Sequence, residues 1–141
     1  MPDDDRMRTL LRNARRIAVL GANDTPGRPS DRVGRYLLAQ GYEVVPVHPA
    51  RPVVWGLPAV RRLADLPAPA DIIDLFRAAQ YCPEHAREVL ALPWRPSVFW
   101  MQSGIRSGEA RRLLADSGVL VVEDACLMVE HARLFGPART L

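Results

Sequence analysis

Apolar positions change their spacing several times along the chain, and the changes mark out strands and helices. Met7, Leu10, Leu11 and Ala14 recur at helical intervals, which predicts a short leading helix over residues 5–14. An unbroken apolar run at 17–20 then marks a strand over 16–21, followed by a glycine-led turn over 21–29. A helix is expected from 31 to 40, with Ser30 as N-cap and Gly41 just past its end. Val33, Tyr36 and Leu37 share the face of that helix that would pack on a sheet. The second strand is 43–47, closed by Pro49. Residues 51–69 are proline-rich with one helical turn near 61–66, and read as a surface excursion. Strand three is 71–76, and Pro83 suits the first turn of a helix running from 82 to 92. Strand four at 97–102, a helix at 109–116 between Ser107 and Gly118, strand five at 119–122 and a helix at 126–134 complete the pattern.

Strands alternate with helices, and several strands are continuous apolar runs, the signature of a parallel sheet covered on both faces. The fold class expected is α/β, a single Rossmann-like, doubly wound, five-stranded parallel sheet in the order 3-2-1-4-5. One domain over 1–141 accounts for the length, and no internal repeat interrupts it.

Composition narrows the function classes. With 48% hydrophobic and 25% charged residues the chain is globular rather than disordered. It has no apolar stretch long enough for a membrane span, and its acidic, h-region-free start predicts no secretory signal. Two cysteines far apart indicate no disulfide framework, and a cytoplasmic location is the simplest expectation. All 19 basic residues are arginine, a bias that reads first as genomic base composition. Its chemical consequence is a supply of planar forks suited to phosphates. The arginines are scattered, the net charge is only +3 and no basic run is interleaved with aromatics, so nucleic acid is not an expected partner.

The strand–turn–helix at 16–41 carries the candidate chemistry. Gly21 lets the backbone approach a ligand closely, and the following helix offers N–H groups and a positive dipole end to an anion. The G-x-G-x-x-G spacing is missing, since Ala22 and Asn23 follow Gly21 and the next glycine is Gly27. A phosphate-bearing ligand is therefore indicated more firmly than NAD. In such sheets ligands sit beyond the carboxyl ends of the strands, here expected at the switch between strands one and four. The residues placed there are Gly21, Ala22, Asn23, Val47, His48, Pro49, Phe76, Arg77, Gln102, Ser103, Gly104 and the run 123–126. A NAD site needs a carboxylate at the end of strand two, where Val47, His48 and Pro49 stand instead. A nucleotide with a phosphate on its ribose, such as NADP or coenzyme A, suits His48 or a nearby arginine.

At this point the chain resembles the small stand-alone CoA-binding proteins, related to the CoA-binding domain of succinyl-CoA synthetase α subunits. The resemblance lies in residues 17–49, DIIDLFR at 71–77, VFWMQSGIRSGEA at 98–110 and VVEDACLMVEHARL at 121–134. It implies coenzyme A as ligand, with Gly21, Ala22 and the run Arg28, Pro29, Ser30 around the phosphates. Val47, His48, Pro49, Phe76, Arg77, Gln102 and Gly104 are then implied to line the cleft. The family's closing Asp-x-Cys and Glu-His stand here as Asp124, Cys126, Glu130 and His131. Two departures are His48, where the family usually has Asn, and Ala125, where it usually has Arg. The synthetase subunit keeps its phosphorylated histidine in a second domain, which is not expected within 141 residues.

Among the remaining residues, Cys126 lies at a helix N-terminus, where a thiol is either activated or packed as a small hydrophobe. Cys82 and Cys126 follow strands at opposite edges of the expected order, too far apart for a bond. Glu130 and His131 point a quarter-turn apart and are expected to tie the last helix to the sheet. No residue set has metal-ligand or nucleophile–base spacing, and catalysis is not expected. The leading expectation is a binding module for a small nucleotide ligand, coenzyme A or an acyl-CoA, with no membrane. An NAD(P)-linked oxidoreductase is the alternative, and a regulatory module docking on an acyl-CoA enzyme a third.

Overall fold

The computed structural model describes residues 1–136; the last five positions of the expected 1–141 domain lie outside them. Helix α1 (Asp4–Asn13) starts where the Asp3 carboxylate accepts from the Arg6 amide, and it buries Met7 and Leu11. Strand β1 (Arg16–Leu20) runs into helix α2 (Pro29–Ala39), then β2 (Glu43–Val47). The excursion folds as a hairpin of β3 (Val53–Val54) and β4 (Leu57–Pro58), followed by a short 3-10 turn. Beyond it come β5 (Ile72–Leu75), α3 (Cys82–Ala91), β6 (Val98–Met101), α4 (Gly108–Leu113), β7 (Leu120–Val122) and α5 (Leu127–Phe135).

Five parallel strands form one sheet in the order β2-β1-β5-β6-β7. The fold class is as expected, a doubly wound Rossmann-like sheet. Counted as the first to fifth strands of that sheet the order is 2-1-3-4-5, a correction to 3-2-1-4-5. The reason lies in Pro46, which has no N–H to give and is tolerated only where one side of its strand is free. Its carbonyl faces outward, accepting from the Val60 amide at 3.0 Å, so β2 is an edge. The third strand, buried along its whole length, takes the interior place beside β1. The ligand crevice moves with it, to the switch between β1 and β5 rather than between strands one and four.

Alternate residues of each strand serve two cores. Ile17, Val19, Ile72, Val98 and Trp100 meet Met7, Leu11, Val33, Leu37, Leu127 and Leu134 from α1, α2 and α5. Ala18, Leu20, Ile73, Leu75, Phe99 and Met101 meet Cys82, Ala86 and Val89 from α3, Ala110 from α4 and Leu114 just past its end. That two-sided burial explains the unbroken apolar runs. His131 ties α5 to α2 through its Nδ1, 2.8 Å from the Tyr36 hydroxyl, and stacks on Phe135.

The excursion is more than surface. Val54 and Leu63 are fully buried, and the Trp55 ring occupies the space that a Cβ on Gly34 would fill. Trp55 donates from its indole to Asp31 at 3.0 Å and from its amide to Asp24 at 3.1 Å, and Arg51 pairs with Asp24 at 2.7 Å. The hairpin is thereby pinned to the glycine turn and the start of α2.

Candidate functional site

Beyond the carboxyl ends of β1 and β5 a groove opens in two halves. The larger, about 500 Å³, is lined by Gly21, Asn23, Arg28, Ser30, Phe76, Arg77, Gln102 and Cys126 among others. The smaller, about 310 Å³, adds Ala22, Val47, His48 and Pro49. Gly21, Asn23, Phe76 and Arg77 belong to both. Of the residues named from the sequence, Gly104, Glu123, Asp124 and Ala125 line neither half; the Gly104 amide instead donates to Asp124 at 2.7 Å. Ser103 lines the larger half. Sequence reasoning missed Arg32, Ile105 and Met128 in the larger half and Arg61, Arg62, His85 and Glu88 in the smaller.

Local structure explains how the turn is held. Gly21 has φ +75°, and a Cβ there would strike the Phe76 carbonyl. Its amide donates to the Val47 carbonyl, which stitches the turn to β2. Asn23 accepts from the Thr25 amide with its side chain. Ser30 is not the N-cap: α2 begins two residues earlier than expected, at Pro29, with Arg28 as cap residue. A proline at the first helical position has φ preset and no amide to satisfy, which outweighs the serine signal. The Ser30 hydroxyl, buried, donates instead to the Asn23 carbonyl at 3.2 Å.

Among the described residues no side chain caps α2, so the amides of its first turn have no side-chain acceptor there. Arg28, Arg32 and Arg61 line the groove and carry no ion pair among the described residues. Such a set fits a ligand with several phosphates. His48 accepts from the amides of Ala50 and Arg51 with Nδ1, at 3.0 and 2.9 Å. Its proton is therefore on Nε2 when the ring is neutral. Burial, with Arg51 and Arg77 nearby, lowers its pKa from the ordinary value.

Under the groove floor, Asp74 on β5 is completely buried. One carboxylate oxygen accepts from the Gln102 amide group, and the other has no partner among the described residues. Burial pushes its pKa up to about 7, against the opposing effect of the Gln102 bond. A carboxylate inside the apolar run 71–76 was the signal for this residue in the sequence.

Cys126 is the N-cap residue of α5 and half-buried in the groove wall, whereas Cys82 is fully buried and donates weakly to the Ala78 carbonyl. Both thiols are free, although the third strand is not the edge expected for it. Among the described residues no helix is long and apolar enough to cross a membrane.

Residues 15–132 match the family described as a CoA binding domain. YneT of Bacillus subtilis (strain 168) is 35% identical over 131 residues, spanning 93% of this chain and 96% of that protein. A solved structure from Thermus thermophilus, cell-free ID.343, is 48% identical with a TM-score of 0.90, covering 95% of this chain and all (100%) of that one. The apo form of the dinucleotide forming acetyl-coenzyme A synthetase 1 of Ca. Korarchaeum cryptofilum shares the fold, with a TM-score of 0.63 at 21% identity over 79% of this chain and 26% of that one. The family match spans the five-stranded sheet and every residue named in the groove, and the chain belongs to the CoA-binding domain family.

Proposed function

We propose that the protein is a binding module that holds coenzyme A, or an acyl-CoA, in this groove without chemistry of its own. The observation that carries the reading is the end of β2. Where a NAD site needs a carboxylate, Val47, His48 and Pro49 share the smaller half with Arg61 and Arg62. A cationic lining there disfavours a bare ribose diol and suits a phosphorylated one. The diphosphate would meet Gly21 and the uncapped start of α2, with Arg28 and Arg32 at its flank. Calorimetry with CoA, NAD and NADP tests this reading. CoA should bind and NAD should not; heat from NADP with none from millimolar CoA would sink it.

Two further results follow from the same geometry. Arg28→Ala removes a charge-assisted contact worth about 1.5–3 kcal/mol, so CoA affinity should fall roughly tenfold to a hundredfold with folding intact. Unchanged affinity would leave the phosphates to the backbone turn alone. Iodoacetamide should alkylate Cys126 and spare buried Cys82, and CoA should slow that alkylation, as followed by intact-mass spectrometry. Equal rates with and without CoA would place the ligand away from the α5 end of the groove.

A further inference from the structure

Arg77 is common to both halves of the groove, and what holds it lies outside the residues that sequence reasoning selected. Its Nε donates to His85 Nε2 at 3.3 Å, and its guanidinium carbon lies 4.5 Å from the centre of the Tyr81 ring. On the other side of the imidazole, His85 Nδ1 is 2.9 Å from Glu88 Oε1. These contacts determine where the protons sit. An arginine Nε always carries hydrogen, so His85 Nε2 must present its lone pair. The single proton of the neutral ring is then on Nδ1, donated to the Glu88 carboxylate. Neither terminal amino group of Arg77 has a protein partner among the described residues. The fork is thus gripped by its stem and its face, with both ends free at the wall shared by the two halves.

We propose that Glu88 and His85 form a positioning pair that holds the Arg77 fork ready for a phosphate group of the ligand, an inference that rests on the coenzyme A reading above. The carboxylate selects the tautomer and the tautomer holds the arginine. Without Glu88 the imidazole proton is free to move to Nε2, where N–H would face N–H and the stem of Arg77 would come loose. An arginine already ordered before binding loses less freedom when the ligand arrives, and its planar fork meets two phosphate oxygens together. Neither His85 nor Glu88 needs to touch the ligand for this effect. The helical spacing of three places both on one face of α3, beside the end of β5.

Calorimetric titration of CoA near pH 8 into the full chain and three variants tests the pair. His85→Ala and Glu88→Ala are expected to weaken binding about tenfold, the scale of one hydrogen bond to a charged group. His85→Gln sets an amide oxygen near the place of Nε2, accepts from Arg77 without help from Glu88, and should restore affinity to within about threefold. Nitrogen-15 spectra of the wild-type ring should show the Nδ1–H tautomer, and those of Glu88→Ala a mixture. His85→Gln as weak as His85→Ala, both unchanged, or an Nε2–H ring in the wild type would each overturn the proposal. Should the wild type bind no CoA at all, the ligand reading fails, while the ring spectra still decide whether the pair holds Arg77.

Discussion

Gly21→Ala is expected to lower the unfolding free energy by about 2–5 kcal/mol, and Gly27→Ala by only about 1 kcal/mol. The two glycines belong to the same turn and have similar backbone angles, φ +75° and +86°. Both substitutions therefore carry the strain of a left-handed alanine. They differ in what the new methyl group meets: open space at 27, and the carbonyl of Phe76 at 21. Backbone cannot rotate away as a side chain can, so β1 and the end of β5 must separate. The Gly21 amide bond to Val47 and the placing of Arg77 depend on that same approach. Urea unfolding of both variants provides the comparison, and CoA affinity of Gly21→Ala should fall along with stability. Equal losses at 21 and 27 would mean that strain alone matters and that the close approach to β5 does not.

Asp74→Asn is expected to stabilise the protein at pH 8 and to change little near pH 4. The folded carboxyl is pushed up to about 7 by burial, whereas in the unfolded chain it titrates near 4. Between those values the folded state keeps a proton that the unfolded state has lost. The stabilisation is thus complete below about pH 4, declines as pH rises, and is gone above about 7. A gap of roughly three units corresponds to on the order of 4 kcal/mol. Asparagine keeps the oxygen that accepts from Gln102 and never ionises, so it escapes the penalty. Chemical unfolding from pH 4 to 8.5 should show the wild type losing stability relative to the variant as pH rises. A constant difference over that range would show that Asp74 is ionised throughout in the folded protein.

The strand–turn–helix around Gly21 was legible because it is local: a continuous apolar run, a glycine and a 3.6-residue repeat lie within 26 consecutive residues, 16–41. Strand order was read wrongly, because a long excursion follows β2 and hides where the chain goes next, leaving one local signal. Pro46 held the clue, since a proline in the middle of EVVPV belongs at an edge. At the start of α2 two valid signals competed, and the rigid ring of Pro29 prevailed over the hydroxyl of Ser30. The excursion read as surface because its proline content conceals the role of Trp55, whose partners Asp24, Asp31 and Gly34 lie more than 20 residues away. The groove residues on β1, β2 and β5 could be named from topology, as strand ends are. His85 and Glu88 could not, because they reach the groove only once α3 has folded back beside the sheet. Arg61 and Arg62 escaped for the same reason, being carried there by the excursion.

Pro46 also limits what the sheet can become. Along the outer side of β2 a further strand would need a regular ladder of donors and acceptors. The donor at 46 does not exist, its carbonyl is taken by Val60, and the His48 amide is committed to the Val60 carbonyl at 2.8 Å. A single valine thus closes the rim that an incoming chain would use as a template. Growth from copy to copy along β2 is thereby blocked over the end of the strand nearest the groove.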